Sequence, residues 1–287
     1  MKPLHGLIVL GAALPCFVEC VDQPKPNCIT SPAPFAMKLI EVSREESAPG
    51  ACDDFGPDSF NADPEVGIAS YYARDDKGQP DYDKGSVAIQ TAEVGNLVFT
   101  AEGAGEPNQT GGPPYSVGPY AASEPDDADF CAVNALTPTH VVLPELPEIP
   151  DDPETEEDDS VPGQPAVDIT LEWTRLRVYV TAASYGTQVA ADLKDTRVTD
   201  AGDTCTIQYK AIGLSPAVPC MLFDDDGAPI VDPDTGLYEP DEAACEPEPD
   251  PENGRPVGSG ISPNTRYTCD TTIGFCTLDG ETVPALR

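Results

Sequence analysis

The chain predicts an all-β fold, an antiparallel β-sandwich or small β-barrel stapled by disulfides and bearing long acidic loops rich in proline and glycine. Three observations support this. Apolar residues alternate with period two over segments of strand length. The 287 residues include 33 prolines and 24 glycines, which deny the chain long helices. Its 10 cysteines contain no CxxC pair, and an even, scattered set in such a chain is the pattern of a disulfide framework closed in an oxidising compartment.

The elements follow in order. Phe35, Met37 and Leu39 share one parity, and Ile68, Ser70 and Tyr72 share another within Gly67 to Arg74. Lys84 to Glu93 and Asn96 to Glu102 read as a hairpin joined through Gly95-Asn96. Thr139 to Leu143 is a short apolar strand. The strongest pattern spans residues 167–213, a meander of three strands. Within it Ile169, Leu171 and Trp173 have one parity and Leu176, Val178 and Val180 the other, so a bulge is expected between Thr174 and Arg175. Ser184-Tyr185-Gly186 and Asp200-Ala201-Gly202-Asp203 supply the turns, with Val189, Ala191 and Leu193 between them. Pro144 to Pro165 carries nine acidic residues and no basic one, so it stays extended and solvated. After Cys220 regular alternation gives way to acidic turns. The domain reading is a signal segment over 1–19, a tether over 20–30, and one β domain over 31–287, with an acidic loop at 144–165 and a loop-rich part at 221–287.

The N-terminus sets the address. Lys2 precedes an apolar run from Leu4 to Val18 that is shorter than the roughly 20 residues a membrane span needs, and it fits a secretory core segment. With Cys16 and Cys20 in or directly after that run, the segment resembles a bacterial lipoprotein signal, in which such a cysteine is acylated and becomes the first mature residue. Acylation at Cys20 discards Cys16 and leaves Cys28, Cys52, Cys131, Cys205, Cys220, Cys245, Cys269 and Cys276, an even set; acylation at Cys16 leaves an odd one. Cys20 is therefore the expected site and Cys16 the alternative. The resemblance implies a membrane partner held through acyl chains, more than one of which is needed for stable anchoring. With Val21 next in the chain, it also implies an outer-membrane location; an extracellular one is the alternative. Among the eight remaining cysteines, Cys205 with Cys220 is the expected local pair.

Composition narrows the activities. Acidic residues number 51 against 15 basic, a formal charge of −36, so nucleic acid is repelled. No phosphate-binding glycine motif points to a nucleotide. Beyond the signal, His140 is the sole histidine, no G-x-S-x-G elbow accompanies it, and no catalytic residue is assigned. Zinc is disfavoured, because the cysteines lack metal-ligand spacing and oxidation consumes their thiols. Ca2+ is the specific cofactor candidate, through Asp232, Asp234 and Glu239 in an acidic turn that lacks the full EF-loop pattern. Tyr71, Tyr72, Trp173, Tyr179 and Tyr185 are candidates to line a glycan or small-molecule surface. The expectation is a non-catalytic cell-envelope protein that binds a glycan, a small molecule or another envelope protein, or serves as surface structure. A calcium- or carbohydrate-binding module is the alternative, followed by a hydrolase working through paired carboxylates.

Overall fold

Period-two alternation is realised as one curled antiparallel sheet in the computed structural model, which describes residues 26–53, 55, 63–148, 163–224 and 226–287. The strands are β1 (Phe35–Glu46), β2 (Glu65–Arg74), β3 (Pro80–Thr91), β4 (Ser116–Pro119), β5 (Phe130–Ala132), β6 (Thr139–Leu143), β7 (Val167–Val180), β8 (Tyr185–Val198) and β9 (Thr204–Leu214). Their order is β4-β3-β2-β1-β9-β8-β7-β5, with β6 also paired to β7. The sheet curves into a half-barrel, and the β5–β6 connection links its two ends. Asn134 and Thr137 donate backbone N–H groups to Pro119 and Val117 at one end, and Val133 donates to Leu176 at the other, each at 2.9 Å. A curled single sheet thus replaces the two-sheet sandwich alternative. Closure of this kind protects strand edges that otherwise invite aggregation.

The meander β7-β8-β9 has the expected course, including its irregularity. Thr174 pairs with Asp192 and Arg177 with Ala190, so Arg175 and Leu176 together oppose Ala191. Arg175 sits in the left-handed region at φ 52°. The bulge lets both halves of β7 bury their apolar sets, Ile169, Leu171 and Trp173 above it and Leu176, Val178 and Val180 below. With Phe35, Met37, Val66, Ile68, Val87, Ile89, Leu193 and Ile207 they fill the interior. Each such side chain removed from water contributes about 1.5–3 kcal/mol.

The hairpin expected through Gly95-Asn96 is not formed. β3 ends at Thr91, and Ala92–Gly103 is an α-helix, α1. The Thr91 side chain caps it by accepting from the Val94 backbone N–H, and Glu93 lies in its first turn, where an anion is favoured. Val94, Val98 and Ala101 are buried against the barrel mouth, a helical stripe that outweighs the turn signal of Gly95-Asn96.

Four disulfides close the described structure: Cys28–Cys131, Cys52–Cys205, Cys220–Cys269 and Cys245–Cys276. The expected Cys205–Cys220 pair is therefore corrected. Cys205 lies at the start of β9 and Cys220 six residues past its end at Leu214, and each is bridged elsewhere, Cys205 to Cys52 and Cys220 to Cys269. The C-terminal part holds β10 (Tyr267–Asp270) paired with β11 (Phe275–Leu278), two 3-10 turns and scattered single bridges. It packs a second apolar cluster against the outer face of β9, around Ile212, Leu214, Ile261 and Leu278. The acidic tract at 149–162 lies outside the described residues.

Candidate functional site

One end of the barrel is built to receive the N-terminal segment. β1 begins at Phe35, so the residues before it run beside the lower part of β2. There Thr30 donates its backbone N–H to Ser70 Oγ at 2.9 Å and its hydroxyl to the Ile68 carbonyl at 3.2 Å. Ser70 Oγ lies 2.7 Å from the Tyr120 hydroxyl, and the Tyr72 hydroxyl donates to the Cys28 carbonyl. Burial pushes the pKa of both tyrosines up, which keeps them as neutral hydrogen-bonding groups. On the far side Ser31 donates to the Gly186 carbonyl at 2.9 Å. Gly186 has φ +71°, and a Cβ there would stand 2.2 Å from the Ile29 carbonyl oxygen. Buried Cys28, bridged to Cys131, fastens the arrangement covalently. Cys16, Cys20 and the signal segment lie outside the described residues.

The outer face of β2, β3 and β4 carries an open groove of about 470 Å³. Strand parity explains it. Val66, Ile68, Val87 and Ile89 point inward, so Gly67, Ala69, Ser86, Ala88 and Gln90 form the outer floor. Ala69 pairs with Ala88, and Ala88 with Val117, a row too short in side chain to fill the space. Tyr71 and Tyr115 stand exposed beside this floor, and Gln90 is fixed by donating from Nε2 to the Pro114 carbonyl at 3.0 Å. The groove thus offers two aromatic faces with hydroxyl and amide groups, the chemistry of a platform for a sugar or other polyhydroxylated ligand.

Of the aromatic residues singled out in the sequence, only Tyr71 joins this groove. Trp173 is a core residue at 2% exposure, Tyr72 points inward, Tyr179 packs edge-on to Phe130, and Tyr185 is exposed at the tether end. Tyr115 was not legible, because it lies in a Gly- and Pro-rich stretch just before the four-residue strand β4. His140 Nε2 lies 3.0 Å from Asp168 Oδ1 on the outer surface. Asp232 Oδ1 accepts from the backbone N–H groups of Asp234 and Thr235, so that carboxylate organises its own turn. Among the described residues Asp232, Asp234 and Glu239 are not gathered at one point; the cluster at ligand spacing is Cys220, Cys245 and Cys276, whose sulfurs are closed in adjacent disulfides.

A buried ionic group escaped sequence reading. Asp195 and Arg197 continue the inward parity of Val189, Ala191 and Leu193, so β8 delivers both beneath α1. Arg197 meets Glu93 from above and Asp195 from its own strand, and its guanidinium stands 5.6 Å over the Phe55 ring. Burial raises the Asp195 pKa against the opposing pull of Arg197. All three guanidinium nitrogens are paired within the cluster, which marks it as the clamp between helix and barrel.

The profile of the MlpA family matches residues 38–216, more than half of the chain, from β1 to just past β9. The chain belongs to the MlpA family. The matched MlpA region contains the β2-β3-β4 groove, the β7 bulge and the Arg197 cluster, while the bridged C-terminal part follows it. Similarity extends further in the Myxococcus xanthus protein named "Putative lipoprotein MlpA", which is 24% identical over 289 residues, covering 98% of this chain and 97% of that one. No solved structure matches.

Proposed function

We propose that this MlpA-family member is an exported lipoprotein of the cell envelope, acylated at Cys20, that presents its barrel to an envelope ligand without catalysing a reaction. The observation that carries this reading is the mounting of the N-terminal segment: a buried disulfide at Cys28, with Thr30 and the Tyr72–Ser70–Tyr120 hydroxyls, fastens the chain eight residues after Cys20. Those eight residues span at most about 29 Å, which holds the barrel close to the surface that anchors it. Likeness to a protein described as a lipoprotein over nearly the whole chain supports the same reading. The outer membrane is the proposed location, from Val21 after the acylated cysteine.

Metabolic incorporation of an alkyne-tagged fatty acid tests this. Label is expected on the wild-type chain and on Cys16→Ser, and is lost in Cys20→Ser. An unlabelled wild type, or label that survives Cys20→Ser, contradicts the assignment.

Binding is assigned to the Tyr71–Tyr115 groove, with a glycan as ligand, because an outward row of small residues between exposed tyrosines leaves an aromatic platform uncovered. A glycan array with wild type and Tyr71→Ala checks it: array signal that depends on Tyr71 is expected, and signal indifferent to that change removes the groove from consideration.

A further inference from the structure

Basic residues are scarce in this chain, 15 against 51 acidic, yet Arg175, Arg177, Lys194 and Lys210 line two adjoining grooves on the outer sheet. The carboxylates lining the same grooves are Glu172 and Asp192, so the local balance of charge is the reverse of the global one. The bulge in β7 produces this. Unbroken alternation from exposed Thr174 would turn Leu176 outward and both arginines inward; the added residue buries Leu176 and exposes Arg175 and Arg177. To do so Arg175 adopts a backbone conformation that residues with a Cβ seldom hold, at φ 52°.

Cross-strand rows then shape a trough. Arg177 pairs with Ala190, which pairs with Ile212, while Thr174 pairs with Asp192, which pairs with Lys210. Ala190 and Ala132 are small, and a space of about 620 Å³ opens above them between the arginines and Lys210. Arg175 is paired with Asp192 and Lys194 with Glu172. Lys210 reaches Glu281 only at 3.9 Å. Arg177 lies 4.7 Å over the Phe130 ring and has no carboxylate partner among the described residues. Stacking on the ring leaves the edge of its guanidinium available to donate.

The geometry points to a phosphate-binding site in this trough, with Arg177 and Lys210 holding the oxyanion and Arg175 closing it from the bulge. Arg175, Arg177 and Lys210 against Asp192 and Glu281 leave an excess of one positive charge, carried by Arg177, and its guanidinium fork matches a pair of phosphate oxygens. The remaining acidic surface is screened beyond roughly 8 Å at 0.15 M salt, so the nearby cations prevail at that ionic strength. The phosphate can be free or the headgroup of a lipid. Arg177 pairs with Ala132, the neighbour of Cys131, which places the trough beside the disulfide that fastens the tether. The headgroup source rests on the envelope reading above, whereas the site itself does not.

The test uses the full-length chain with Cys20→Ser, so that no acyl chain contributes, at 0.15 M salt. Inorganic phosphate and sub-micellar dihexanoyl phosphatidic acid are titrated calorimetrically, and vesicles of phosphatidylcholine with and without phosphatidylglycerol are cosedimented. Saturable binding of at least one phosphate probe is expected. It should weaken tenfold or more in Arg177→Ala, less in Arg177→Lys, and not at all in Arg74→Ala. Uptake of inorganic phosphate identifies the free anion as the source, and binding confined to the lipid probes identifies the headgroup; either outcome supports the site. Should Arg177→Ala unfold, Lys210→Ala is read in its place. Absence of binding to every phosphate probe, or binding that both variants retain, overturns the proposal. Failure of fatty-acid labelling at Cys20 would remove the envelope reading and leave the inorganic-phosphate result standing.

Discussion

Arg197 on β8 donates Nη1 and Nη2 to the two carboxylate oxygens of Glu93 at 2.7 and 2.8 Å, joining helix and barrel across 104 positions of sequence. Its Nε donates to Asp195 at 3.0–3.2 Å, so one guanidinium serves two carboxylates. Truncating the cation leaves those carboxylates unpaired in a buried setting, a change that typically costs about 3–5 kcal/mol. Arg197→Leu is therefore expected to lower unfolding stability by that amount at pH 7, read by urea denaturation. Asp195→Asn, which keeps the fork onto Glu93, should stay within about 1 kcal/mol of wild type.

The pH dependence follows from the raised pKa of Asp195, whose first cause is burial. A carboxyl with a folded pKa above its unfolded value of 3.8 binds its proton more tightly when folded, so its contribution favours folding in acid and is lost as pH rises through the folded value. Without Arg197 to oppose burial the folded pKa rises further. The deficit of Arg197→Leu against wild type should shrink as pH falls from 7 toward 4.5, and a deficit independent of pH would speak against a buried ionised Asp195.

Disulfide connectivity gives a third prediction. Proteolysis without reduction should yield Cys28–Cys131, Cys52–Cys205, Cys220–Cys269 and Cys245–Cys276 peptides, with no Cys205–Cys220 product. The Cys52–Cys205 bridge spans 153 residues and ties the start of β9 to the chain beyond β1. Replacing both partners by serine should cost about 2–5 kcal/mol, measured by chemical denaturation.

The parts of this fold that strands specify through their own alternation were legible. The β7-β8-β9 meander and its bulge follow from where Trp173 and Leu176 change parity, and inward Ile68, Ser70 and Tyr72 follow from β2 alone. What depends on partners distant in sequence was not. Gly95-Asn96 carries a local turn signal, but α1 forms because Val94, Val98 and Ala101 find the barrel mouth to cover. Cys205 and Cys220 are near in sequence, but their partners Cys52 and Cys269 lie 153 and 49 residues away. Of the groove, Tyr71 was visible and Tyr115 was not, since only pairing of β4 onto β3 brings it there. The basic residues 175, 177, 194 and 210 look scattered until β7, β8 and β9 set them side by side.

Gly186→Ala is expected to unfold the tether mount. The added Cβ meets the Ile29 carbonyl oxygen at 2.2 Å in a left-handed backbone, where neither side can yield cheaply. Limited proteolysis near residues 26–31 should accelerate in this variant, whereas Gly78→Ala, at φ +76° but with no atom within 4 Å, should leave that region protected.

Arg175→Gly separates strain from binding. Glycine accepts the φ of 52° without a Cβ penalty, so Tm should rise by about 2 °C while phosphate affinity falls. A fall in Tm would mean that the arginine is held there for stability.

The most direct test of the account is the intact mass of native protein before and after reduction and alkylation. The account predicts a chain that begins at an acylated Cys20, takes up no alkylating agent in its native state, and takes up eight equivalents after reduction, one for each of the remaining cysteines. A chain with an unmodified Cys20, or with any thiol reactive before reduction, would contradict it.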